Sequence, residues 1–299
     1  MVANNKQKGK DAGPVERRPL TCIELWNEFD QRNVKSSPQS KQDYRRALAR
    51  FFSFFKECES VSDLTRNQMF QWKEFMLRSL SPPTAAVTVR RMKTMFRFAV
   101  MEGWIVDNPL QDVSVKYSPT WRDSHFFTKD EYLTLLKHCP SKVWRTILAL
   151  VRYGGMRCPC EVMLLRWSDI DWNGKRMSIP NPKWAHYSHK RIVPLFPKVR
   201  RELQALFESR WSNEFVIEPF ANRGRTNLAT RFRRIATTAG IGNYGKPLLD
   251  MRNSRFHELI EKFGRFYASV WLGVEPPGKE KFVLRVTDEI IQQAAEWDG

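Results

Sequence analysis

Apolar residues recur at helical spacing through the first third of the chain. Tyr44, Leu48, Phe51 and Phe55 lie three or four positions apart, on one face of a helix expected over residues 40–56. Val89, Met92, Phe96 and Ala99 mark the same kind of stripe in a helix over 84–102. A helix over 65–80 ends at Ser81-Pro82-Pro83. Another, over 21–29, opens with Thr21 and Glu24 at the spacing of a capping box. Gly103 and Asn108-Pro109 close this all-helical stretch.

A mixed, polar segment follows, with Ser118-Pro119 and Arg122-Asp123-Ser124, and reads as a linker. Thr128 and Glu131 then form a second capping-box sequence, ahead of Tyr132, Leu135 and Leu136. An apolar helix over 144–153 breaks at Gly154-Gly155, and residues 159–167 are expected to form the next helix. The period then shortens to short strand-like runs at 176–179 and 191–195, with a polar hairpin tip over 181–190 between them. Helices resume at 198–208, 228–239, 253–263 and 288–296. The expected fold is mainly α with a small β-sheet (α+β). The expected divisions are a disordered basic tail (1–18), a helical domain (19–112), a linker (113–127) and a second domain (128–299).

Charge narrows the partner. Fifty Lys and Arg face 32 Asp and Glu, a net charge of +18. A surplus that large favours a polyanion, because each neutralised phosphate releases condensed counterions. Arg90, Lys93 and Arg97 share one helix face opposite the apolar stripe, with Arg91 beside them. Lys41 and Arg45 precede them, and Arg231 and Arg234 lie on a later helix. These basic faces have few acidic residues at i, i+4, which weakens a salt-bridge explanation; phosphate contacts are favoured for the Arg90 cluster, while the other faces fit phosphate contacts and a solvated surface equally. No apolar run reaches the ~20 residues of a membrane span, and residues 1–18 carry no apolar stretch of a secretory signal. The five cysteines are odd in number and lack the spacing of a disulfide framework, which suggests a reducing compartment. Cys158-Pro-Cys160 has no matching second pair, and His186 and His189 make no better case, so neither a metal nor a cofactor is expected.

The sharpest segment is Gly155-Met-Arg157-Cys-Pro-Cys-Glu161, continuing through Leu165-Arg-Trp167-Ser-Asp169-Ile-Asp171-Trp172. It resembles the first box of the tyrosine recombinases, the phage integrase family. Asn181-Pro-Lys183 with Arg191-Ile-Val-Pro-Leu195 resembles the hairpin that carries the family's lysine. Leu249-Asp-Met-Arg252 resembles its H-x-x-R box, and Trp271-Leu-Gly273 its L-G-H/W segment. Val283-Leu-Arg-Val-Thr-Asp288 resembles the tyrosine-bearing end of a planctomycete-like integrase branch. The resemblance implies a core-binding domain before Leu110, double-stranded DNA as partner and a cytoplasmic, nucleoid-associated place in a bacterium. It also implies a homo-oligomer on DNA, formed through the C-terminal helix.

In such enzymes a tyrosine oxygen attacks a phosphodiester and charge builds on the non-bridging oxygens. Two arginines can hold those oxygens by paired hydrogen bonds without a metal. By resemblance these are Arg157 and Arg252, and Lys183 is the acid that protonates the departing 5′-oxygen. The match fails where a proton or a nucleophile is required. Leu249 stands at the histidine position, Val274 at the later His/Trp position and Val283 at the tyrosine position. Valine cannot form a phosphotyrosyl bond. Tyr244 and Tyr267 are the late tyrosines open to an alternative role, and Thr287 offers only an alkoxide. The expectation is a DNA-binding member impaired in strand cleavage. The alternatives are an active recombinase with another nucleophile, or a non-catalytic partner or regulator of an active one.

Overall fold

The computed structural model describes residues 20–32, 37–55, 60–117, 125–180, 190–209, 214–218, 228–242, 245–274 and 286–299. The tail over 1–18 and the hairpin tip up to residue 189 lie outside them. The chain divides into two compact units between residues 120 and 121.

The first unit is built from α1 (Cys22–Arg32), α2 (Pro38–Phe52), α3 (Arg66–Ser79) and α4 (Pro82–Met101). Each start has a local cause. Thr21 and Glu24 exchange hydrogen bonds at the head of α1, Thr65 and Gln68 form a full capping box on α3, and prolines open α2 and α4. The apolar stripes meet around Trp72, Phe51 and Phe96, all fully buried. Phe51 packs edge-on to Trp72 at 5.2 Å, a geometry that adds to the burial of both rings.

The second unit begins with α5 (Lys129–Lys137), capped by Thr128 and Glu131, and α6 (Lys142–Arg152), which is buried on nearly every side. A three-stranded antiparallel sheet follows: β1 (Ile170–Asp171), β2 (Arg176–Ile179) and β3 (Arg191–Pro194). Met177 pairs with Val193 and Ile179 with Arg191, so Met177, Ile179 and Val193 turn to the core together. Then come α7 (Pro197–Phe207), α8 (Leu228–Thr238), α9 (Pro247–Leu272) and α10 (Asp288–Glu296).

Two segments depart from the sequence reading. Residues 159–167 are not one helix but a turn and two short 3-10 turns. Pro159 supplies no N–H there, and the Glu161 carboxylate takes the Arg157 N–H in place of a helical carbonyl. The helix expected over 253–263 runs from Pro247 to Leu272 and breaks only at Gly264, whose φ of 82° and ψ of 162° suit glycine alone.

The last helix packs on the unit's own sheet. Ile291, Ala294 and Ala295 are buried. Asp288 pairs with Arg176 at 2.9 Å and Glu296 with Lys175 at 3.0 Å. Among the described residues no helix is long and apolar enough to cross a membrane.

Candidate phosphate-binding site

The site forms where the turn after α6 meets the end of α9. Gly155 has φ 62°, and a side chain there would strike Leu272, so the turn can press directly against α9. Arg157 follows. Its backbone N–H and Nη1 both donate to the Glu161 carboxylate at 2.6 Å, and Nη2 donates to Gly273 O at 2.5 Å. Arg252, on α9, reaches back to Gly155 O through Nε at 2.8 Å and to Leu272 O through Nη2. Arg191, opening β3, grips Glu161 with Nη1 and Nη2 at 2.5 and 2.8 Å and gives its Nε to Trp271 O at 2.8 Å.

Three guanidinium groups are thus held by the last carbonyls of one helix. Trp271 O takes Arg191, Leu272 O takes Arg252 and Gly273 O takes Arg157. Carbonyls at a helix C-terminus lack intrahelical partners and carry its partial negative charge, so cations suit them. Glu161 is fully buried. Burial pulls its carboxyl upward, but the bonds and charge of Arg191, then those of Arg157, outweigh this and hold it below 4.5. Burial and then repulsion from Arg157 push Arg252 down to about 10. It remains protonated at neutral pH, so three cations face one carboxylate. The surplus of positive charge, partly screened from water, is suited to an anion.

Gly273 makes the convergence possible. It sits at φ 64°, and an added Cβ would lie 3.2 Å from Arg191 Cδ and 3.3 Å from Arg157 Nη1. Gly273→Val is expected to cost about 1–3 kcal/mol of stability by urea denaturation. It should also displace both arginines, so anion affinity falls as well. An unchanged urea midpoint would contradict this geometry.

Arg157 and Arg252, both inferred from the sequence, come together here. Leu249 and Val274 are exposed to 43% and 38%, and neither side chain can donate a hydrogen bond. Lys183, Val283 and Tyr244 lie outside the described residues. Tyr267 is half-buried, its ring stacked on Trp271 at 5.7 Å. Thr287 Oγ1 caps α10, accepting the Ile290 N–H. Sequence reasoning assigned no role to Glu161 or Arg191. The i, i+4 spacing of Arg157 and Glu161 was a visible signal for the first; the pairing of β3 with the turn was not.

The basic surface positions sort differently. Arg90 and Arg97 are exposed on α4 and take part in no ion pair among the described residues. Arg91 pairs with Asp43 of α2 at 3.0 Å, and Lys41 with Asp30 of α1 at 2.9 Å. Lys93 donates to Gln111 O at 2.6 Å. Arg45 is exposed, its guanidinium 5.9 Å from the Trp26 ring. In the second unit Arg231 and Arg234 are exposed on α8 and line a groove with His138 and Trp144.

Comparison with known proteins agrees with this architecture. Residues 23–118 match the phage integrase SAM-like domain. A protein of Escherichia coli (strain K12) named "Putative defective protein IntQ" is 25% identical over 257 residues, 77% of this chain. The match spans 64% of that relative's length. Among solved structures, a lambda integrase (75–356) dimer bound to a COC′ core site superposes with a TM-score of 0.69 at 15% identity, covering 90% of this chain and 98% of that one. The Tn1549 transposon integrase (82–397) in complex with circular intermediate DNA gives 0.66 at 17% identity, covering 93% and 100%. These two likenesses are of fold. The SAM-like match and the defective relative, with the arginine-bearing boxes, support the resemblance of this chain to the tyrosine recombinase (integrase) family.

Proposed function

We propose that this protein binds duplex DNA as a recombinase does, holds one phosphodiester between Arg157 and Arg252, and does not cleave it. The observation that carries the reading is the convergence of these two arginines and Arg191 in a chain with Val283 at the nucleophile position. The clamp retains the groups that neutralise a phosphate, while the positions that move protons or attack phosphorus hold Leu249, Val274 and Val283. Lys183 remains as the candidate acid, with no attack for it to assist.

In this reading residues 19–112 are the core-binding domain and 128–299 the recombinase-like catalytic domain, joined by the linker 113–127. Arg90 and Arg97 contact phosphates from the first domain, with Lys41, Arg45, Arg91 and Lys93 at the edges of that face, and Arg231 and Arg234 do so from the second. Such contacts set register on the duplex and carry no base information. The relatives solved on DNA support a duplex as partner, and the lambda integrase dimer supports assembly on it. The contact between copies runs through α10. A cytoplasmic, nucleoid-associated location follows from the same reading.

Duplex affinity measured by fluorescence anisotropy across a salt series tests it. Affinity should fall steeply with salt, as expected when several phosphates are neutralised. Arg252→Gln should weaken binding about tenfold and make the salt slope shallower by about one. Salt-independent binding, or no effect of Arg252→Gln, would contradict the reading.

A further inference from the structure

The first unit carries a cleft of about 850 Å³, walled by the end of α4, by the segment that follows it and by the short 3-10 turn over Val61–Asp63. A cleft of that size suits a small organic molecule. Its floor is apolar: Val61 and Ile105 are buried, with Val100 and Trp104 half-buried beside them. Its rim is charged, with Arg97 on α4 and Asp107 on the following segment, both exposed.

The backbone fixes this arrangement. The Trp104 N–H donates to Ala99 O at 2.9 Å, and Asn108 Nδ2 donates to Lys93 O at 2.9 Å. The chain after α4 therefore folds back along that helix. It passes the level of Arg97, which lies between the two contacts, and brings Asp107 to the same stretch of α4. The Trp104 ring is held in place, edge to face with Phe98 at 5.4 Å and 5.9 Å from the Arg32 guanidinium. Arg66 and Asp112 neutralise each other at 3.0 Å along one wall. Arg97 and Asp107 take part in no ion pair among the described residues.

These groups match one ligand class in three ways. An exposed guanidinium suits a phosphate. An indole among aliphatic side chains suits a planar base, which stacks on aromatic faces. A carboxylate only accepts hydrogen bonds, so it favours a base edge with an amine and repels one with a carbonyl in its place.

We propose that this cleft binds a nucleoside monophosphate whose base carries an exocyclic amine, with its phosphate on Arg97, its base on Trp104 and its amine on Asp107. A free nucleotide and an unpaired nucleotide of a bound DNA strand both present this chemistry. The part given to Arg97 rests on the phosphate-binding reading of α4 above; the base selectivity given to Asp107 does not.

Calorimetric titration of the full chain with dCMP and with dUMP tests the proposal, because the two share a phosphate and differ only at the base edge. The protein should bind dCMP about tenfold more tightly than dUMP. Asp107→Ala, at an exposed position, should bring the two to equal affinity. Arg97→Gln should weaken both alike and keep their ratio. Duplexes with one unpaired dC or one unpaired dU then separate the sources. A preference for dC that Asp107→Ala abolishes assigns the cleft to DNA, and equal affinity for the two duplexes assigns it to the free nucleotide. Equal binding of dCMP and dUMP, or a dCMP preference that survives Asp107→Ala, would overturn the proposal. Failure to bind any duplex would overturn the DNA-binding reading instead, and the ratio of dCMP to dUMP affinity would still decide this one.

Discussion

Glu161→Ala is expected to destabilise the protein by about 3–5 kcal/mol in urea denaturation. The carboxylate is fully buried and accepts from the Arg157 N–H, from Arg157 Nη1 and from both Nη groups of Arg191. Removing it strands Arg191, only 9% exposed, without a counter-charge. A buried ion pair broken on one side costs far more than one removed whole. The double variant Glu161→Ala/Arg191→Met should therefore be more stable than Glu161→Ala alone. A loss below about 1 kcal/mol in the single variant would mean that the cluster is solvated and is not a preorganised clamp.

Glu258→Ala should cost a similar amount, about 3–5 kcal/mol, for a related reason. Glu258 bridges Arg152 at 2.9 and 2.5 Å and Arg255 at 3.2 Å, and both arginines are fully buried. Without it two buried cations face each other. Arg255 keeps only uncharged partners, the Tyr153 carbonyl at 3.0 Å and the aromatic faces of Phe196 and Trp297 at 4.2 and 4.5 Å.

The same carboxylate sets a pH dependence. Burial pulls Glu258 upward, but the hydrogen bonds and charge of Arg152, then Arg255, hold it below 4.5, as the arginines around Glu161 hold that group. The folded state therefore binds these protons more weakly than the unfolded chain does. The stability they contribute is complete above pH 4.5 and is lost as pH falls below it. Urea midpoints measured from pH 7 downward should drop in that window, and less so in Glu258→Gln. A drop of equal size in that variant would assign the acid sensitivity elsewhere.

Local signals in the sequence carried over into the structure. Thr21 with Glu24 and Thr128 with Glu131 cap helices as their spacing implies, because a capping box involves only neighbours. The strand pair around 176–179 and 191–194 follows from its alternation. Apolar content between Pro159 and Trp167 suggested a helix, and the Glu161 carboxylate and the missing Pro159 N–H favour turns instead. The arginines of the clamp could be picked out because motif resemblance is a linear signal. Their supports could not, since Arg191 meets Glu161 across 30 positions and Arg252 meets Gly155 across 97. The acidic partners of Lys41 and Arg91 were hidden for the same reason: they come from other helices, not from the i, i+4 positions of their own.

The central claim is that the clamp holds a phosphodiester that the chain cannot cleave. It is tested by incubating the protein with a nicked suicide duplex carrying its candidate flanking attachment sequence, with native and denaturing gels run on the same sample. The account predicts a shifted, salt-sensitive complex on the native gel and no covalent adduct on the denaturing one. A covalent adduct would contradict it, and peptide mapping of the linked residue would then identify the nucleophile that replaces Val283.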